Sequence, residues 1–465
     1  MFESRNPADP KQIVGEYTAH TSSEVTKALQ EARVAQQGWA RQDAFSRARA
    51  LGAFVAELQS CGEDLARAIT LEQGKPIGEA RGEVAKALSE SRFMIAQTLN
   101  PVGDVMPSAR PGVRSWTTRR PRGVIAGVTP WNFPVLAPLR KITPALTYGN
   151  AIILKPSELT PKAALLIEKC AKKCLPEGLV RCVIGDAEVG QALVSNPIVN
   201  GVTFTGSVEV GRQIYHMAAE NLVEVSLELG GKNPAIINDS SDLDDCLDQV
   251  FNAAMLCAGQ RCTAISRIIV SDELADAVIE GLARRADTAV VGDGMKEGVT
   301  IGPLITGSHR DKVKAYVEEA EKDGARRITG GLPGLGQGLD EGYFYRPVVL
   351  ASVRPESRIF HEEVFGPVLS VTSYSSLDEA LFLANSVSFG LSSSVFSERL
   401  NVVERFLSES ESGMLHVNHG TIPDSHMPFG GIKESGVGAS SVGRSAVAFY
   451  TTEHAVYSLS GVGPG

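Results

Sequence analysis

The feature that most constrains the fold of this chain is an alternation of short apolar runs with helical stretches, which begins at residue 124. Amphipathic stretches such as Pro161–Lys173 and Val210–Glu220 separate the runs. Strands that alternate with helices form βαβ units, so the pattern predicts an α/β fold with a parallel, doubly wound sheet. The predicted strands are Val124–Gly127, Ala151–Leu154, Arg181–Ile184, Gly201–Phe204 and Ala235–Ile237.

A second alternation follows residue 242 and indicates another α/β unit. A predicted helix, Leu243–Leu256, leads through a Gly-Gln turn to a predicted strand, Ile268–Val270. Because 465 residues exceed what one hydrophobic core usually organises, we expect two or three domains.

The first hundred residues are predicted to be helical. Thr21 and Glu24 form a capping box, and apolar residues follow it at helical spacing. Two pieces differ from this pattern, since Gly103–Arg120 is predicted to be irregular or strand-like and Val447–Ser458 to form one or two strands. Two further helices are predicted, near Phe45–Leu58 and Gly82–Leu99.

Composition excludes several functional classes. A net charge of -9 argues against nucleic-acid binding, because a phosphate backbone requires a basic face. The polar N-terminus predicts no signal peptide, and no apolar run is long enough to predict a membrane span. Seven scattered cysteines indicate a reducing, cytoplasmic compartment. Cys170 and Cys174 lack a second pair at zinc-ligand spacing, so we expect buried helical cysteines and no metal.

Cys262 is the candidate nucleophile. It lies in the sequence Gly-Gln-Arg-Cys-Thr, on a tight turn between a predicted helix and a predicted strand. Exposure, backbone amides and the positive potential of Arg261 would favour a thiolate. The alternative for a cysteine in a glycine-rich turn is a structural thiol.

Glu228 and Asn132 are candidates for the accompanying chemistry. Two leucines flank Glu228 as in a strand, so its carboxyl group could face an enclosed cleft where burial raises its pKa towards that of a base. Asn132 lies between two prolines and two aromatic residues, where a fixed amide N–H suits an oxyanion. The alternatives are a surface glutamate before a Gly-Gly turn and an Asx turn beside proline.

Two segments are placed to meet a dinucleotide. Gly206 and Ser207 follow a predicted strand and open a helix, where backbone amides can bind phosphate. The segment is not a full G-x-G-x-x-G motif. The run from Lys155 to Glu158 follows another predicted strand, in a position to meet a ribose.

Together these motifs resemble the aldehyde dehydrogenase superfamily, in the family's order and across nearly the whole chain. Cys262 follows Glu228 by 34 residues, which also fits the family. The matching motifs are Pro130-Trp131-Asn132-Phe133-Pro134, Lys155-Pro156-Ser157-Glu158, Phe204-Thr205-Gly206-Ser207, Leu227–Lys232, Gly259-Gln260-Arg261-Cys262, Glu363-Val364-Phe365-Gly366-Pro367 and Pro428-Phe429-Gly430-Gly431.

The resemblance implies an aldehyde dehydrogenase-like fold of three parts and a homodimer or homotetramer. Residues 1–102 and 122–230 would form a Rossmann-like NAD-binding domain, and residues 231–440 an α/β catalytic domain. Residues 103–121 and 441–465 would form a small oligomerisation sheet.

The resemblance also implies an activity, the NAD-dependent oxidation of a small-molecule aldehyde to a carboxylate. Cys262 would attack the aldehyde, and Asn132 and the Cys262 amide would hold the oxyanion. Hydride transfer would leave a thioester, which water activated by Glu228 would hydrolyse, with Lys141 in a supporting role. The implied cofactor-binding residues are Trp131, Lys155, Ser157, Glu158, Gly206, Ser207, Gly230, Glu363 and Phe365.

The substrate is indicated by fewer residues. Much of the chain resembles enzymes that act on ketoglutarate semialdehyde and succinate semialdehyde, and Arg140 matches an arginine that binds the substrate carboxylate in the latter. Two departures are Leu256, where a second arginine is expected, and Asp424, which adds negative charge. The candidate substrate-contacting residues are Arg140, Phe133, Arg261 and His426.

Three alternatives stay open. Phe133 and His426 would also suit an aromatic aldehyde of the benzaldehyde or vanillin type. Acyl transfer to coenzyme A is disfavoured by Glu228, which that class tends to lack, and a non-catalytic binding role is disfavoured by an intact Cys262. NAD is expected over NADP because the charge of Glu158 would repel a 2′-phosphate.

Overall fold

The structure is a computed structural model that describes residues 1–100, 103–333 and 339–459. The chain opens with an antiparallel hairpin of β1 (Phe2–Asn6) and β2 (Asp9–Tyr17), so the prediction of helix throughout the first hundred residues is wrong here. A distant contact stabilises the hairpin, because the buried Ser4 hydroxyl donates to the Glu72 carboxylate at 2.6 Å. Local propensity does not contain such a contact.

Four helices follow the hairpin. The predicted capping box is confirmed, since the Thr21 hydroxyl accepts from the Glu24 amide at 3.3 Å and the Thr21 amide donates to the Glu24 carboxylate at 2.7 Å. One helix was not predicted, because it starts two residues after its predecessor ends and no side chain caps it. The helices are α1 (Ser22–Ala40), α2 (Ala44–Ser60), α3 (Gly62–Gln73) and α4 (Ile77–Ala96), followed by a 3-10 turn at Gln97–Leu99.

Two strands, β3 (Val105–Met106) and β4 (Val113–Pro121), precede the first large sheet. Five of the six strands of that sheet have the order β7-β6-β5-β8-β9 and are all parallel, which confirms the predicted doubly wound arrangement. The chain runs from β5 outward to β6 and β7 on one side of the sheet, and then crosses to β8 and β9 on the other side. The loops after β5 and β8 therefore lie at a topological switch point, where such sheets bind ligands. The elements are β5 (Val124–Val128), α5 (Leu136–Thr147), β6 (Ala151–Lys155), α6 (Pro161–Cys174), β7 (Val180–Cys182), α7 (Ala187–Val194), β8 (Gly201–Thr205), α8 (Val208–Glu220) and β9 (Glu224–Glu228).

The chain passes to a second sheet between Glu228 and Asn233. Its seven strands have the order β12-β13-β14-β11-β10-β16-β17 and are parallel except for β12, which runs against β13. The elements are β10 (Asn233–Ile237), α9 (Leu243–Met255), β11 (Ile265–Ser271), α10 (Ala275–Thr288), α11 (Gly307–Lys322), β12 (Arg326–Gly331), β13 (Arg346–Ala351), α12 (Arg358–His361), β14 (Val368–Tyr374), α13 (Leu377–Asn385), β15 (Phe389–Gly390), β16 (Ser392–Phe396), α14 (Leu400–Glu409) and β17 (Met414–Val417).

The last segment returns to the first half of the molecule. Within the range expected to be catalytic, β18 (Ile432–Lys433) pairs with β15, but β19 (Gly436–Val437) pairs antiparallel with β9 in the first sheet. This pairing brings the segment beside Glu228. Part of the range 231–440, which was expected to form the catalytic domain, therefore joins the first sheet.

The tail differs from its prediction in one part. Residues of α15 (Ala446–Tyr450) form a helix rather than a strand, because Phe449 and Tyr450 are buried in the first hydrophobic core with Ala446. Only β20 (Thr451–Leu459) joins the three-stranded antiparallel sheet β20-β4-β3. The expected oligomerisation segment 441–465 therefore begins in the first core, and residues 460–465 lie outside the described residues.

A search of the described residues for membrane-spanning helices finds none with the necessary length and apolar character.

Candidate active site

A cavity of about 540 Å³ lies where segments of the two large sheets meet. Most of the residues selected from the sequence line it: Asn132, Trp131, Phe133, Arg140, Gly206, Ser207, Glu228, Gly230, Arg261, Cys262, Glu363 and Phe365. The selected residues outside the described lining are Lys141, Lys155, Ser157, Glu158 and His426.

The turn that carries the nucleophile is rigid. Cys257, Ala258 and Gly259 all have positive φ, at 59°, 53° and 71°. Two of the three are not glycine, so the backbone is strained and the surrounding structure must hold it. Gln260 does so, because its buried side chain donates to the Cys257 carbonyl at 3.0 Å and accepts from the Ile305 amide at 2.9 Å.

Cys262 follows this turn with its thiol half-buried at the cavity wall. Its carbonyl accepts from the Asn233 side chain at 2.7 Å. Burial raises the pKa of the thiol to about 12, and the negative charge of Glu363 adds to the effect. Arg140 and Arg261 lower the pKa but do not outweigh burial, which corrects the expectation of a thiolate. A protonated thiol needs a base that accepts its proton.

Glu228 ends β9 and is buried at the cavity wall. One carboxylate oxygen accepts from the Ser441 amide at 3.3 Å, while Oε2 is buried and has no hydrogen-bond partner in the described part of the chain. Burial raises the pKa of this carboxyl group, and the nearby Lys141 ammonium opposes the rise. An unpartnered buried carboxylate with a raised pKa is suited to act as a general base.

Lys141 lies behind the cavity wall. Its ammonium donates to the hydroxyls of Thr203 and Thr205 at 3.1 and 2.9 Å. Burial lowers its pKa, and the charge of Glu228 opposes that effect. Lys141 is thus placed to act on the electrostatics of Glu228, and its catalytic role stays a prediction.

The loop after β5 holds Asn132 from two sides. The Asn132 side-chain amide donates to the Gln260 carbonyl at 2.9 Å, and its backbone carbonyl accepts from the Lys75 ammonium at 2.8 Å. Lys75 is also paired with Glu83 at 2.7 Å, in a fully buried ion pair. Glu83 in turn accepts from the amides of Val135 and Leu136, at the start of α5, at 2.9 and 3.0 Å. These contacts fix a donor beside the nucleophile, as an oxyanion site requires.

The cofactor end of the cavity has two glycines whose neighbouring side chains leave no room for a Cβ. A Cβ at Gly206 would lie 2.4 Å from the Phe204 ring, and one at Gly230 would lie 2.4 Å from Glu363 Oε2. Ser207 caps α8 by accepting from the Val210 amide at 3.3 Å. A helix N-terminus beside a switch point suits a pyrophosphate, so these residues fit a dinucleotide.

Glu363 and an aromatic group complete this end. Glu363 accepts from the Gly231 amide at 3.0 Å, and burial raises its pKa to about 7. The Trp131 and Phe365 rings meet edge to face at 5.5 Å between centroids. His309, which sequence inspection missed, lines the cavity and contacts the Phe365 carbonyl at 2.7 Å.

The predicted ribose-binding run lies at the carboxyl end of β6, next to β5 in the sheet. Lys155 and Glu158 form an ion pair at 3.1 Å, and the Ser157 hydroxyl accepts from the Leu159 amide at 3.3 Å. Their contact with a ribose stays a prediction.

At the substrate end, Arg140 is held by a partner that the sequence did not reveal. Its Nε and Nη2 donate to the two carboxylate oxygens of Glu90, both at 2.7 Å, and its guanidinium lies 4.3 Å from the Phe429 ring centroid. Glu90, rather than a substrate, is therefore the ion-pair partner of Arg140 in this structure. His426 is exposed and packs near Phe93, with 6.2 Å between ring centroids.

Sequence inspection missed the contribution of α4. Glu79, Gly82, Glu83 and Lys86 all line the cavity and recur at the i, i+3, i+4, i+7 spacing of one helix face. Charged residues on the buried face of a predicted helix were a usable signal, because buried charges require partners or ligands.

One group away from the cavity has ligand atoms close enough to share a metal ion. Atoms of Glu57, Cys61 and Cys170 lie within 4.8 Å of one another. The Lys173 ammonium already pairs with Glu57 at 2.5 Å, which disfavours a second cation there. All seven cysteines are free thiols, and Cys170 is buried as expected whereas Cys174 is half-buried.

The arrangement of the cavity agrees with the known proteins that this chain resembles. The alpha-ketoglutaric semialdehyde dehydrogenase of Bacillus subtilis is 35% identical over 460 residues, which cover 98% of this chain and 94% of the relative. The glutarate-semialdehyde dehydrogenase of Pseudomonas putida is 36% identical over 435 residues, covering 93% and 89%. The crystal structure of Staphylococcus aureus betaine aldehyde dehydrogenase in complex with NAD+ has a TM-score of 0.94 at 30% identity, covering 98% and 92%.

The family model for the aldehyde dehydrogenase family matches residues 1–456. The match and the relatives confirm the resemblance found in the motifs and the predicted fold. The chain therefore belongs to the aldehyde dehydrogenase family, whose members are NAD(P)-dependent oxidoreductases that act on aldehydes.

Proposed function

We propose that the protein oxidises an aldehyde that carries a second, ionised carboxyl group, such as succinate semialdehyde, with NAD as hydride acceptor. The observation that carries this proposal is the charge of the substrate end, where Lys86 and Arg261 line the cavity and form no ion pair among the described residues, whereas Arg140 is already paired with Glu90. Cationic side chains attract a carboxylate and disfavour a cationic aldehyde.

Two of the relatives named above act, by their names, on semialdehydes of dicarboxylic acids, and they are 35% and 36% identical to this chain. Sequence identity alone does not choose the substrate class, because a probable betaine aldehyde dehydrogenase of Schizosaccharomyces pombe is also 36% identical. The charge of the cavity supports the semialdehyde class.

The chemistry begins at Cys262. Its sulfur forms a bond to the aldehyde carbon while the thiol proton passes to a base, for which the unpartnered Glu228 Oε2 is suited. The oxyanion of the resulting thiohemiacetal accepts hydrogen bonds from the Asn132 side chain and the Cys262 amide. NAD, when bound, accepts the hydride that leaves this carbon.

The remaining thioester must be hydrolysed. Glu228 takes a proton from water, whose oxygen attacks the acyl carbon, and the Cys262 sulfur leaves as the carboxylic acid forms. Because both roles need an ionised carboxylate, Glu228 must release its first proton before the second step. These reaction steps do not require coenzyme A.

NAD is preferred over NADP in this proposal. Glu158 follows β6 with its side chain partly exposed, 44% of its reference area, so its carboxylate can meet the ribose hydroxyls. A 2′-phosphate would be repelled by that carboxylate, although the paired Lys155 reduces the effect.

We also propose that the protein is a cytoplasmic homodimer or homotetramer. The sheet β20-β4-β3 supports assembly, because it exposes apolar side chains that a partner subunit could cover. The exposed residues are Val105, Met106, Tyr457 and Leu459. Seven free thiols support a reducing compartment.

The test is a comparison of succinate semialdehyde, butanal, benzaldehyde and a trimethylammonium aldehyde by kcat/KM with NAD. We expect succinate semialdehyde to exceed butanal by roughly tenfold or more, and the cationic aldehyde to be the poorest substrate. A preference for benzaldehyde, or equal values for the acid and butanal, would contradict the proposed substrate class without affecting family membership.

A further inference from the structure

Lys86 is a cavity-lining cation whose charge is not balanced by a direct partner. Its ammonium donates to the Pro423 carbonyl at 2.5 Å, and no carboxylate pairs with it in the part of the chain that the structure describes. The cavity-lining Lys75 and Arg140 differ, because each is bound to a glutamate of α4. The charge of Lys86 is therefore available to an anion, whereas the charges of Lys75 and Arg140 are already paired.

Within the described ranges, Arg261 is a second cation of the substrate end that forms no ion pair with a carboxylate, although the nearby charge of Glu79 opposes the lowering of its pKa by burial. Its Nη2 donates to the Ala253 carbonyl at 2.7 Å, while its Nε is buried and lacks a hydrogen-bond partner within the described ranges. Arg261 and Lys86 both line the cavity and repel each other electrostatically. An unpartnered buried donor beside an unpaired ammonium is a site that an anionic ligand would stabilise.

Arg140 is less suited to this role than its position in the sequence suggests. Glu90 occupies its Nε and Nη2, and the Phe429 ring covers one face of the guanidinium. The charge of Arg140 is therefore largely neutralised before a substrate arrives. Its charge still acts on its neighbours, since Arg140 lowers the pKa of the Cys262 thiol, and burial and then the like charge of Arg140 lower the pKa of Lys86 to about 8.

We propose that Lys86 and Arg261 form an anion subsite that binds the substrate carboxylate farthest from the aldehyde. The proposal rests on the proposed function and deepens it by naming the residues that set the substrate class. Lys86 supplies the charge from α4, and Arg261 supplies a fixed donor next to the nucleophile. Asp424, which is exposed and attracts Lys86, lies at the rim of this subsite and weakens it.

The test uses Lys86→Met, which keeps most of the side-chain volume but removes the charge. We expect its kcat/KM for succinate semialdehyde to fall roughly tenfold or more, mainly through KM, while its value for butanal stays within about twofold of the parent. Lys86→Arg should restore most of the acid preference. Lys169→Met, the same change at an exposed lysine of α6, should change neither value.

A binding measurement separates the subsite from turnover. Calorimetric titration of the full-length enzyme with succinate, the carboxylate product, should give a dissociation constant roughly tenfold weaker for Lys86→Met than for the parent. Butyramide, which lacks the charge, should bind the two enzymes equally. A thermal melt of each variant checks that the fold is retained.

The outcomes distinguish the two proposals. If the parent enzyme does not prefer succinate semialdehyde to butanal, the proposed function fails and the subsite with it. If the parent prefers the acid but Lys86→Met keeps that preference and its affinity for succinate, only the subsite is refuted. Equal losses on both aldehydes would also refute it and leave Lys86 with a structural role.

Discussion

The two ends of the cavity are built from different kinds of contact. At the cofactor end, close backbone packing and a helix cap determine the shape, because Gly206 and Gly230 have no space for a side chain and Ser207 caps the helix that follows it. At the substrate end, charged residues of α4 meet partners far along the chain, as Glu90 meets Arg140 and Lys86 meets Pro423.

This difference separates what members of a family share from what distinguishes them. At the cofactor end, the backbone packing and the helix cap form the site for a common cofactor, so few substitutions fit there. Pairs of side chains can be exchanged without altering the main chain, so the substrate end can change its charge while the fold is retained. The pairs are still coupled, because removing one partner of a buried ion pair costs about 3–5 kcal/mol.

The largest effect is expected at Cys262, where the two ends meet. Cys262→Ser should lower kcat by at least about 10³-fold with every aldehyde, because a hydroxyl is a far weaker nucleophile near neutral pH. Binding of NAD, followed by quenching of protein fluorescence, should change little. Retained turnover would assign the nucleophile elsewhere, and the buried Cys257 is the neighbouring thiol.

Glu228→Gln should lower steady-state turnover by about 10²- to 10³-fold. Because Glu228 is proposed to accept the Cys262 proton as well as to activate water, rapid mixing should show that the NADH burst is slowed together with turnover. A full burst followed by slow turnover would limit Glu228 to hydrolysis and assign the Cys262 proton to another base.

The pH dependence of the parent enzyme tests the same residue. A base must be ionised, and burial raises the pKa of Glu228 above its ordinary 4.5, so the hydrolysis rate should rise with pH into the neutral range. The variant should lose this rise. An identical profile in parent and variant would assign it to another group.

Sequence predicted best where structure is local. The capping box of α1 and the strands of the first sheet follow from short patterns, and most of the motif residues line one cavity, although the run from Lys155 to Glu158 does not. The hairpin β1-β2 was missed because Ser4 depends on Glu72, 68 residues away. Glu90 was missed for a similar reason, since its partner Arg140 lies 50 residues further along the chain.

Electrostatics were predicted less well than geometry. Arg261 beside Cys262 suggested a thiolate, but burial dominates and raises the pKa of the thiol. The degree of burial depends on segments that converge from the whole chain, so a local motif does not contain it. The same limit applies to Lys86, whose unbalanced charge becomes visible only when its neighbours are known.

A smaller effect is expected from Gly230→Ala at the cofactor end. The new Cβ would lie 2.4 Å from Glu363 Oε2, so the carboxylate must move and the KM for NAD should rise roughly tenfold. The KM for the aldehyde should change little if the two ends are independent. Gly52→Ala is the matched control, because its Cβ meets nothing within 4 Å on an exposed helix face. Equal changes in both KM values would contradict the separation of the two ends.

The smallest effect is expected from Asp424→Asn at the rim of the substrate end. Asp424 is exposed, so its attraction for Lys86 is weakened by solvent, and its removal should raise kcat/KM for succinate semialdehyde by only about twofold at low salt. The gain should disappear near 1 M salt, where the screening length falls to about 3 Å, and butanal should not respond at any salt concentration. Asp272→Asn, at another exposed aspartate, should leave both substrates unchanged. A loss rather than a gain for the acid would mean that Asp424 positions Lys86 for binding instead of competing with the substrate for its charge.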